Sequence, residues 1–170
     1  AIAELEGAGC EALITSSGMS ALTITLLGLL SCGDHVLMPH TVFGPTRAVA
    51  ADLLLRMGIT TSYYDALANM SELAAHIRPE TRLILTESPG SNTLWVQDIP
   101  AIVAAAHAAG SLVAIDNSWA TPILFRPLEH GVDVSICAAT KYLLGHSDTI
   151  LGTIAARPDL LAKLRKTAQQ

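Results

Sequence analysis

The sequence predicts an α/β protein of three layers (αβα), in which helices cover both faces of a mainly parallel β-sheet. Short apolar runs that suit strands alternate with helical runs of about ten to fifteen residues, as in βαβ units. Several strand-like runs are apolar at successive positions, which is typical of strands buried on both faces. With 170 residues and 51% hydrophobic side chains, the chain is large enough for one sizeable core.

The first half of the chain opens with a segment, residues 1–10, that is typical of a helix end and its glycine turn. We predict that Gly33 and Gly58 end two longer helices, because glycine readily adopts the positive φ of a helix C-terminus. Ser71 is the predicted N-cap of a third helix. The predicted strands are 11–15, 34–39 and 59–65, and the helices are 16–33, 44–58 and 69–80.

The second half repeats this alternation. One apolar, alanine-rich helix ends at Gly110, and the last helix begins at the signal formed by Pro158 and Asp159. We find no internal repeat and no low-complexity linker in the sequence, so it predicts a single domain. The predicted strands are 81–89, 111–118, 132–139 and 149–157, and the helices are 99–110 and 157–170.

The composition argues against several classes of protein. A net charge of −5 does not suit a nucleic-acid partner, which requires a basic surface. The longest apolar runs are too short or too interrupted to cross a membrane, and acids stand where a signal peptide would be basic. Cys10, Cys32 and Cys137 are odd in number and lack CxxC spacing, so we expect free, buried thiols and a reducing, cytoplasmic location.

Residues with chemical potential follow the predicted strands, where ligands bind in open α/β sheets. The helix start at 16–21 is either a simple cap or a phosphate site, because a helix N-terminus presents free N–H groups. Phe43 taken alone is more typical of a core residue. Asp116 is either a turn former or a partly desolvated acid that needs a partner, and Lys141 is either a surface lysine or a functional amine.

Together these residues meet the demands of one cofactor, pyridoxal 5′-phosphate. This cofactor needs a lysine for its aldehyde, an acid facing its pyridine nitrogen, a cradle for its phosphate and a ring on which to stack. Because one crossover separates Asp116 from Lys141, both can lie at the ends of neighbouring strands.

Two other motifs suggest different sites. His146 and Asp148 could form a metal pair, but no third ligand stands at a convincing spacing, so we predict turn roles and no metal. A Rossmann nucleotide site is a weaker alternative, because the glycines of 7–9 precede the first strand instead of following it.

Several motifs resemble the Cys/Met metabolism family of pyridoxal-phosphate enzymes. They include "GDHVLM", "ESPGSN" and the continuous stretch "AIDNSWATPILFRPLEHGVDVSICAATKYLLGHSDTILG". The resemblance implies fold type I, the aspartate-aminotransferase-like fold, with residues 1–170 as its large cofactor-binding domain. It also implies that a segment binding the neighbouring subunit's cofactor phosphate precedes this domain, and that the arginine for the substrate's carboxylate follows it.

The resemblance assigns roles around the cofactor's ring. Lys141 matches the lysine that holds the cofactor covalently, and Asp116 matches the acid on the pyridine nitrogen. Phe43 stands where the family usually has a stacking tyrosine, so it keeps the stacking but lacks the phenol. Asn92 matches an amide near the cofactor's phenolic oxygen.

The resemblance also assigns phosphate ligands. Gly18 and Met19 match residues whose backbone N–H groups hold the phosphate, and Thr140 matches a hydroxyl used on the same group. Ala138 departs from the family pattern, because many members place a serine three residues before the lysine.

The resemblance implies a carbon–sulfur lyase that acts on a small sulfur amino acid. The segments "AATKYL" and "GHSD" resemble those of bacterial cystathionine β-lyases, which form homocysteine, pyruvate and ammonia by β-elimination. The alternatives are a γ-synthase, a methionine γ-lyase, an O-acetylhomoserine sulfhydrylase, or a cofactor-binding domain without turnover. The resemblance further implies methionine biosynthesis and a homotetramer, a dimer of dimers with shared active sites.

Overall fold

The computed structural model describes residues 1–7 and 9–169 and contains one sheet. Its strands are β1 (Glu11–Thr15), β2 (His35–Pro39), β3 (Thr60–Tyr64), β4 (Thr81–Glu87), β5 (Leu112–Asp116), β6 (Val134–Cys137) and β7 (Gly152–Ala156). Their order across the sheet is β1-β7-β6-β5-β4-β2-β3. Among these described strands β7 is antiparallel to both neighbours and the other pairings are parallel, so the predicted mainly parallel sheet is confirmed.

Helices cover both faces of the sheet. They are α1 (Ile2–Glu6), α2 (Gly18–Leu29), α3 (Gly44–Val49), α4 (Met70–His76), α5 (Ile99–Ala108), α6 (Thr121–Leu124) and α7 (Pro158–Ala168). Helices α2 and α7 share one core with Leu83 and Leu85 of β4, and α4 and α5 share the other core with Ile84. Because alternate residues of a strand face opposite sides, a strand covered on both sides must be apolar throughout.

Three helices differ from their predicted form. Helix α2 ends at Leu29 with Leu30 as its C-cap, so the prediction that Gly33 ends this helix was wrong, and Gly33 lies in the turn before β2. Helix α3 continues as a π-helical turn over Ala50–Leu54, whereas the sequence predicts one regular helix over 44–58. The prediction of Ser71 as N-cap of α4 was wrong. Asn69 Oδ1 accepts the backbone N–H groups of Ser71 and Glu72, both at 3.0 Å, and Glu72 Oε2 accepts the Asn69 N–H at 3.2 Å. This reciprocal capping box starts the helix at Met70.

The cysteines are free, but only one is buried. Cys137 lies buried in β6, whereas Cys10 is half-buried and Cys32 is exposed. The expectation that all three are buried was therefore wrong. Cys32 is exposed because it lies in the surface turn between α2 and β2.

Two predicted segments extend past the described residues. Ala8 of the predicted glycine turn and Gln170 of the last predicted helix lie outside them. Over the described ranges, no helix combines the length and the apolar character needed to cross a membrane.

The start of α2 lies against the sheet without a side chain between them. Gly152 opens β7 opposite Thr15, and a Cβ at position 152 would fall on the carbonyl group of Ser17. A Cβ at Gly18 would lie 2.6 Å from the Cβ of Ala138. Both positions therefore require glycine. These contacts fix the N-terminus of α2 beside the carboxyl end of β6 and the start of β7.

Glu6 is a buried acid beneath β6. Its side chain is 1% exposed, and Oε1 accepts a hydrogen bond from Ser135 Oγ at 3.0 Å. Oε2 has no hydrogen-bond partner among the described residues. Burial raises the pKa of Glu6 from 4.5 to about 7, although the hydrogen bond from Ser135 acts in the opposite direction.

We expect Gly152→Ala to destabilise the protein, because the new methyl group must displace the backbone of Ser17. Overpacking of this kind costs about 1–3 kcal/mol in the free energy of unfolding. Urea unfolding measures the effect. Gly44→Ala is the matched control, since a Cβ at that position meets nothing within 4 Å. Equal midpoints for the two variants would contradict the close contact.

We expect the pH dependence of stability to include a contribution from Glu6. Its pKa is about 7 in the folded protein against an ordinary value of 4.5, so the stability that it contributes is full below pH 4.5 and is lost as the pH rises through 7. The loss is at most about 3 kcal/mol. Glu6→Gln keeps a neutral partner for Ser135 and removes this loss.

Urea unfolding between pH ~5 and ~8 tests this expectation. The Glu6→Gln variant should be more stable than the parent at pH ~8, with a difference that shrinks towards pH ~5. Glu80→Gln, at an exposed position, should track the parent throughout. Parallel stability curves for Glu6→Gln and the parent would refute the assignment.

Candidate active site

One cavity lies beside the carboxyl ends of β5 and β6, where α2 begins. Its volume is about 190 Å³. Residues from four separate segments of the chain line it, because parallel strands bring their carboxyl ends to the same side of a sheet. The lining consists of Ser17, Gly18, Met19, Leu22, Phe43, Thr46, Asp116, Ala138 and Lys141.

The N-terminus of α2 forms one side of this cavity. Ser17 is the N-cap, and its Oγ accepts the backbone N–H of Ser20 at 3.0 Å. The N–H groups of Gly18 and Met19 belong to the first turn, where no preceding helical carbonyl can accept them. Since α2 is 12 residues long, its dipole adds a positive potential at this end, which suits an anion such as a phosphate.

Asp116 forms a second side of the cavity and is held by the neighbouring loops. It ends β5 and pairs in register with Ile136 of β6. Its Oδ1 accepts the backbone N–H of Ser118 at 3.0 Å, and Ser118 Oγ in turn accepts the N–H of Ala138 at 2.7 Å. This chain of hydrogen bonds fixes the carboxylate relative to the segment that leads to Lys141.

Lys141 lies in a turn that follows β6. Its N–H donates to Ala138 O at 3.0 Å, and Lys141 O accepts the N–H of Gly145 at 2.9 Å. The Lys141 Nζ lies 5.8 Å from the centroid of the Phe43 ring, within the range of a cation–π contact. The turn therefore presents the amine to the same cavity as the ring and the carboxylate.

The structure brings together five of the seven predicted site residues. Asn92 is exposed in the segment between β4 and α5, and it does not line the cavity. Thr140 does not line it either, since its hydroxyl donates to Leu151 O at 3.1 Å and accepts the Leu151 N–H at 2.8 Å. The five residues that meet are Gly18, Met19, Phe43, Asp116 and Lys141.

Sequence reasoning missed three polar residues at or beside the site, whereas Ser17 lies in the helix start that the sequence had already marked. The Asp-x-Ser spacing of an Asx turn could have identified Ser118. Thr46 carries no sequence signal that we recognise. Glu87 ends an apolar strand, which is the signal that singled out Asp116.

Glu87 lies beside Asp116, since the two residues pair in register at the ends of β4 and β5. Its side chain is 3% exposed. Burial raises the pKa of Glu87, and the negative charge of Asp116 raises it further, while hydrogen bonds from Ser91 and Phe43 lower it. Two acids therefore stand side by side at this edge of the sheet.

Two other places offer less for catalysis. His146 and Asp148 lie in an exposed turn, and the described residues contain no group of three metal-ligating side chains close enough to hold an ion. A cavity of about 250 Å³ lies under the segment between β4 and α5. Its lining residues carry no titratable side chain, so it offers no group for acid–base chemistry.

The residues around the first cavity fit pyridoxal phosphate. The backbone N–H groups of Gly18 and Met19 suit its phosphate, and the exposed face of Phe43 suits its aromatic ring. The Asp116 carboxylate suits a protonated ring nitrogen, and the Lys141 amine suits its aldehyde.

Comparisons with known proteins agree with this fit. The family described as "Cys/Met metabolism PLP-dependent enzyme" matches residues 1–170. The chain is 42% identical over 171 residues to "Cystathionine beta-lyase MetC" of Escherichia coli (strain K12), covering 99% of this chain and 42% of that protein. It is 42% identical over 162 residues to the protein of the same name from Bacillus subtilis (strain 168), covering 95% of this chain and 41% of that protein.

A relative with a different name is about equally similar. The chain is 41% identical over 164 residues to "L-alanine/L-glutamate racemase" of Wolbachia pipientis wMel, covering 96% of this chain and 40% of that protein. The chain thus spans about two fifths of the length of these curated relatives. The match over the whole chain and the identities above 40% show that the chain belongs to the Cys/Met metabolism PLP-dependent enzyme family.

Proposed function

We propose that the protein containing this chain is a pyridoxal-phosphate-dependent carbon–sulfur lyase that cleaves cystathionine by β-elimination. The observation that carries the proposal is the meeting of Asp116, Lys141 and the start of α2 around one cavity. In this proposal residues 1–170 are the large cofactor-binding domain.

In this proposal different residues of the chain bind different parts of pyridoxal phosphate. The N–H groups of Gly18 and Met19 hold the phosphate, and Phe43 stacks on the ring. Asp116 keeps a proton on the ring nitrogen by accepting a hydrogen bond, which its own bond from Ser118 orients. When bound, the cofactor supplies an electron sink for the pair left on the substrate's α-carbon.

Lys141 has two roles in this proposal. Its amine would hold the cofactor at its aldehyde carbon. Once free, the same amine would act as general base and take the α-proton of the substrate. In β-elimination the Cβ–S bond would break and homocysteine would leave as a thiolate that takes up a proton, after which hydrolysis of the three-carbon remainder would yield pyruvate and ammonia.

The choice of β-elimination rests on two kinds of support. The segments "AATKYL" and "GHSD" resemble the bacterial cystathionine β-lyases. Relatives from Escherichia coli and Bacillus subtilis carry that name at 42% identity. Racemisation is the second candidate, because the racemase of Wolbachia pipientis is 41% identical to this chain. Racemisation, like β-elimination, begins with loss of the α-proton.

The assembly and the location belong to the same proposal. We propose a dimer of dimers with active sites shared between subunits, acting in the cytoplasm on a sulfur amino acid of methionine biosynthesis. Several large apolar side chains are exposed on the surface of the chain, which supports a surface that another subunit covers, and they include Trp119, Ile123, Leu124, Tyr142 and Ile150. The three free cysteines support a reducing compartment.

Product analysis tests the proposed reaction. The full-length protein, loaded with pyridoxal phosphate and supplied with cystathionine, should release pyruvate and homocysteine. Release of 2-oxobutyrate would indicate γ-elimination instead. Racemisation of alanine or glutamate without pyruvate would favour the second candidate, and a loaded protein that forms no product would leave only cofactor binding.

We expect Lys141→Ala in the full-length protein to abolish the visible absorbance of the covalently held cofactor. Pyruvate release should fall by about a thousandfold, because both the attachment point and the general base are lost. Lys163→Ala, an exposed lysine of α7, is the matched control and should retain both signals. Persistence of the visible band in Lys141→Ala would overturn the assignment of this lysine.

A further inference from the structure

Glu87 has no role in the chemistry described so far. It ends β4 next to Asp116 and is almost fully buried, with 3% of its side chain exposed. Buried carboxylates are rare unless each oxygen has a partner, because an unpaired buried charge is costly. The hydrogen-bond partners of Glu87 therefore indicate its role in the structure.

Each oxygen of Glu87 accepts a backbone N–H from a different loop. Oε2 accepts the N–H of Phe43 at 2.8 Å, and Oε1 accepts the N–H of Ser91. Phe43 precedes α3, and Ser91 lies in the segment after β4. Since both oxygens are engaged, the carboxylate cannot rotate towards one loop without releasing the other.

The position of Phe43 depends on its backbone hydrogen bond to Glu87. Its side chain is 36% exposed, so packing holds the ring only in part. It is the N-cap of α3 and makes no capping hydrogen bond through its side chain. The bond from its N–H to Glu87 thus connects the residue directly to the strand next to Asp116.

We propose that Glu87 is a positioning residue, which fixes the Phe43 ring relative to Asp116 and Lys141 and so sets how tightly and in what orientation the site holds pyridoxal phosphate. This inference rests on the proposed function, because it takes the cavity as the cofactor site. It concerns a residue that acts through Phe43 and does not itself line the cavity.

Substitutions of Glu87 distinguish positioning from a purely structural role. Glu87→Ala removes both acceptors. Glu87→Gln keeps one acceptor oxygen and turns an NH₂ group towards the other N–H, so it keeps the shape but breaks one bond. Glu80→Gln, on the exposed surface, is the matched control.

The experiment uses the full-length protein, freed of cofactor and titrated with pyridoxal phosphate. The dissociation constant is read from the visible absorbance, and the ring's orientation from the visible circular dichroism per bound cofactor. We expect Glu87→Ala to raise the dissociation constant about tenfold and to change the dichroism, and Glu87→Gln to raise the constant about threefold. The Glu80→Gln variant should match the parent.

A second background tests whether Glu87 acts through Phe43. In Phe43→Leu, which removes the ring, adding Glu87→Ala should raise the dissociation constant by less than about twofold, because residues that act as a unit are not additive. The same tenfold loss in both backgrounds would overturn the inference. A lower unfolding temperature with an unchanged dissociation constant and dichroism would overturn it too, since it indicates structural support alone.

The remaining outcomes separate this inference from the proposed function. If Glu87→Ala does not fold, Glu87→Gln decides, and an unchanged constant in that variant refutes positioning. If the parent protein takes up no pyridoxal phosphate, both proposals fail. If the parent binds the cofactor and releases pyruvate while the Glu87 variants match it, the proposed function stands and only the role of Glu87 is refuted.

Discussion

The architecture around the cavity depends on backbone packing directly against backbone at the start of α2. Gly152 allows the Ser17 carbonyl to pass over β7, and Gly18 allows the first turn to lie on Ala138. These two contacts set the distance between the helix and the ends of β6 and β7. Because a helix dipole acts strongly only near its terminus, this distance decides whether the first turn can act on a ligand in the cavity.

The parallel strands supply the second constraint. β4, β5 and β6 run in the same direction and pair in register, so their carboxyl ends lie in a row. Glu87, Asp116 and the turn with Lys141 follow in that order along the edge. The hydrogen bonds through Ser118 and from Phe43 to Glu87 then hold neighbouring loops to one another. The strands supply the order of these groups, and the loop contacts supply their fine placement.

The fold and much of the site could be predicted from sequence, because each rests on local signals. The apolar run of β4 predicts a strand buried on both faces, and an acid or a lysine after such a run marks the ligand-binding edge. The rest depends on contacts between distant residues. Leu151 engages the hydroxyl of Thr140, and Phe43 engages Glu87, through backbone groups whose positions exist only in the folded chain. The N-cap of α4 was predicted wrongly although its signal is local, because Asn69 and Ser71 are both good capping residues.

The neighbouring acids Glu87 and Asp116 also make the electrostatic potential differ between the two sides of the cavity. One wall presents the positive end of a helix, and another presents the carboxylate of Asp116, with Glu87 next to it outside the lining. A molecule that is anionic at one end and cationic at the other gains from both walls in one orientation and is repelled by both when reversed. The charges of the cavity therefore favour one orientation of such a molecule before any covalent bond forms.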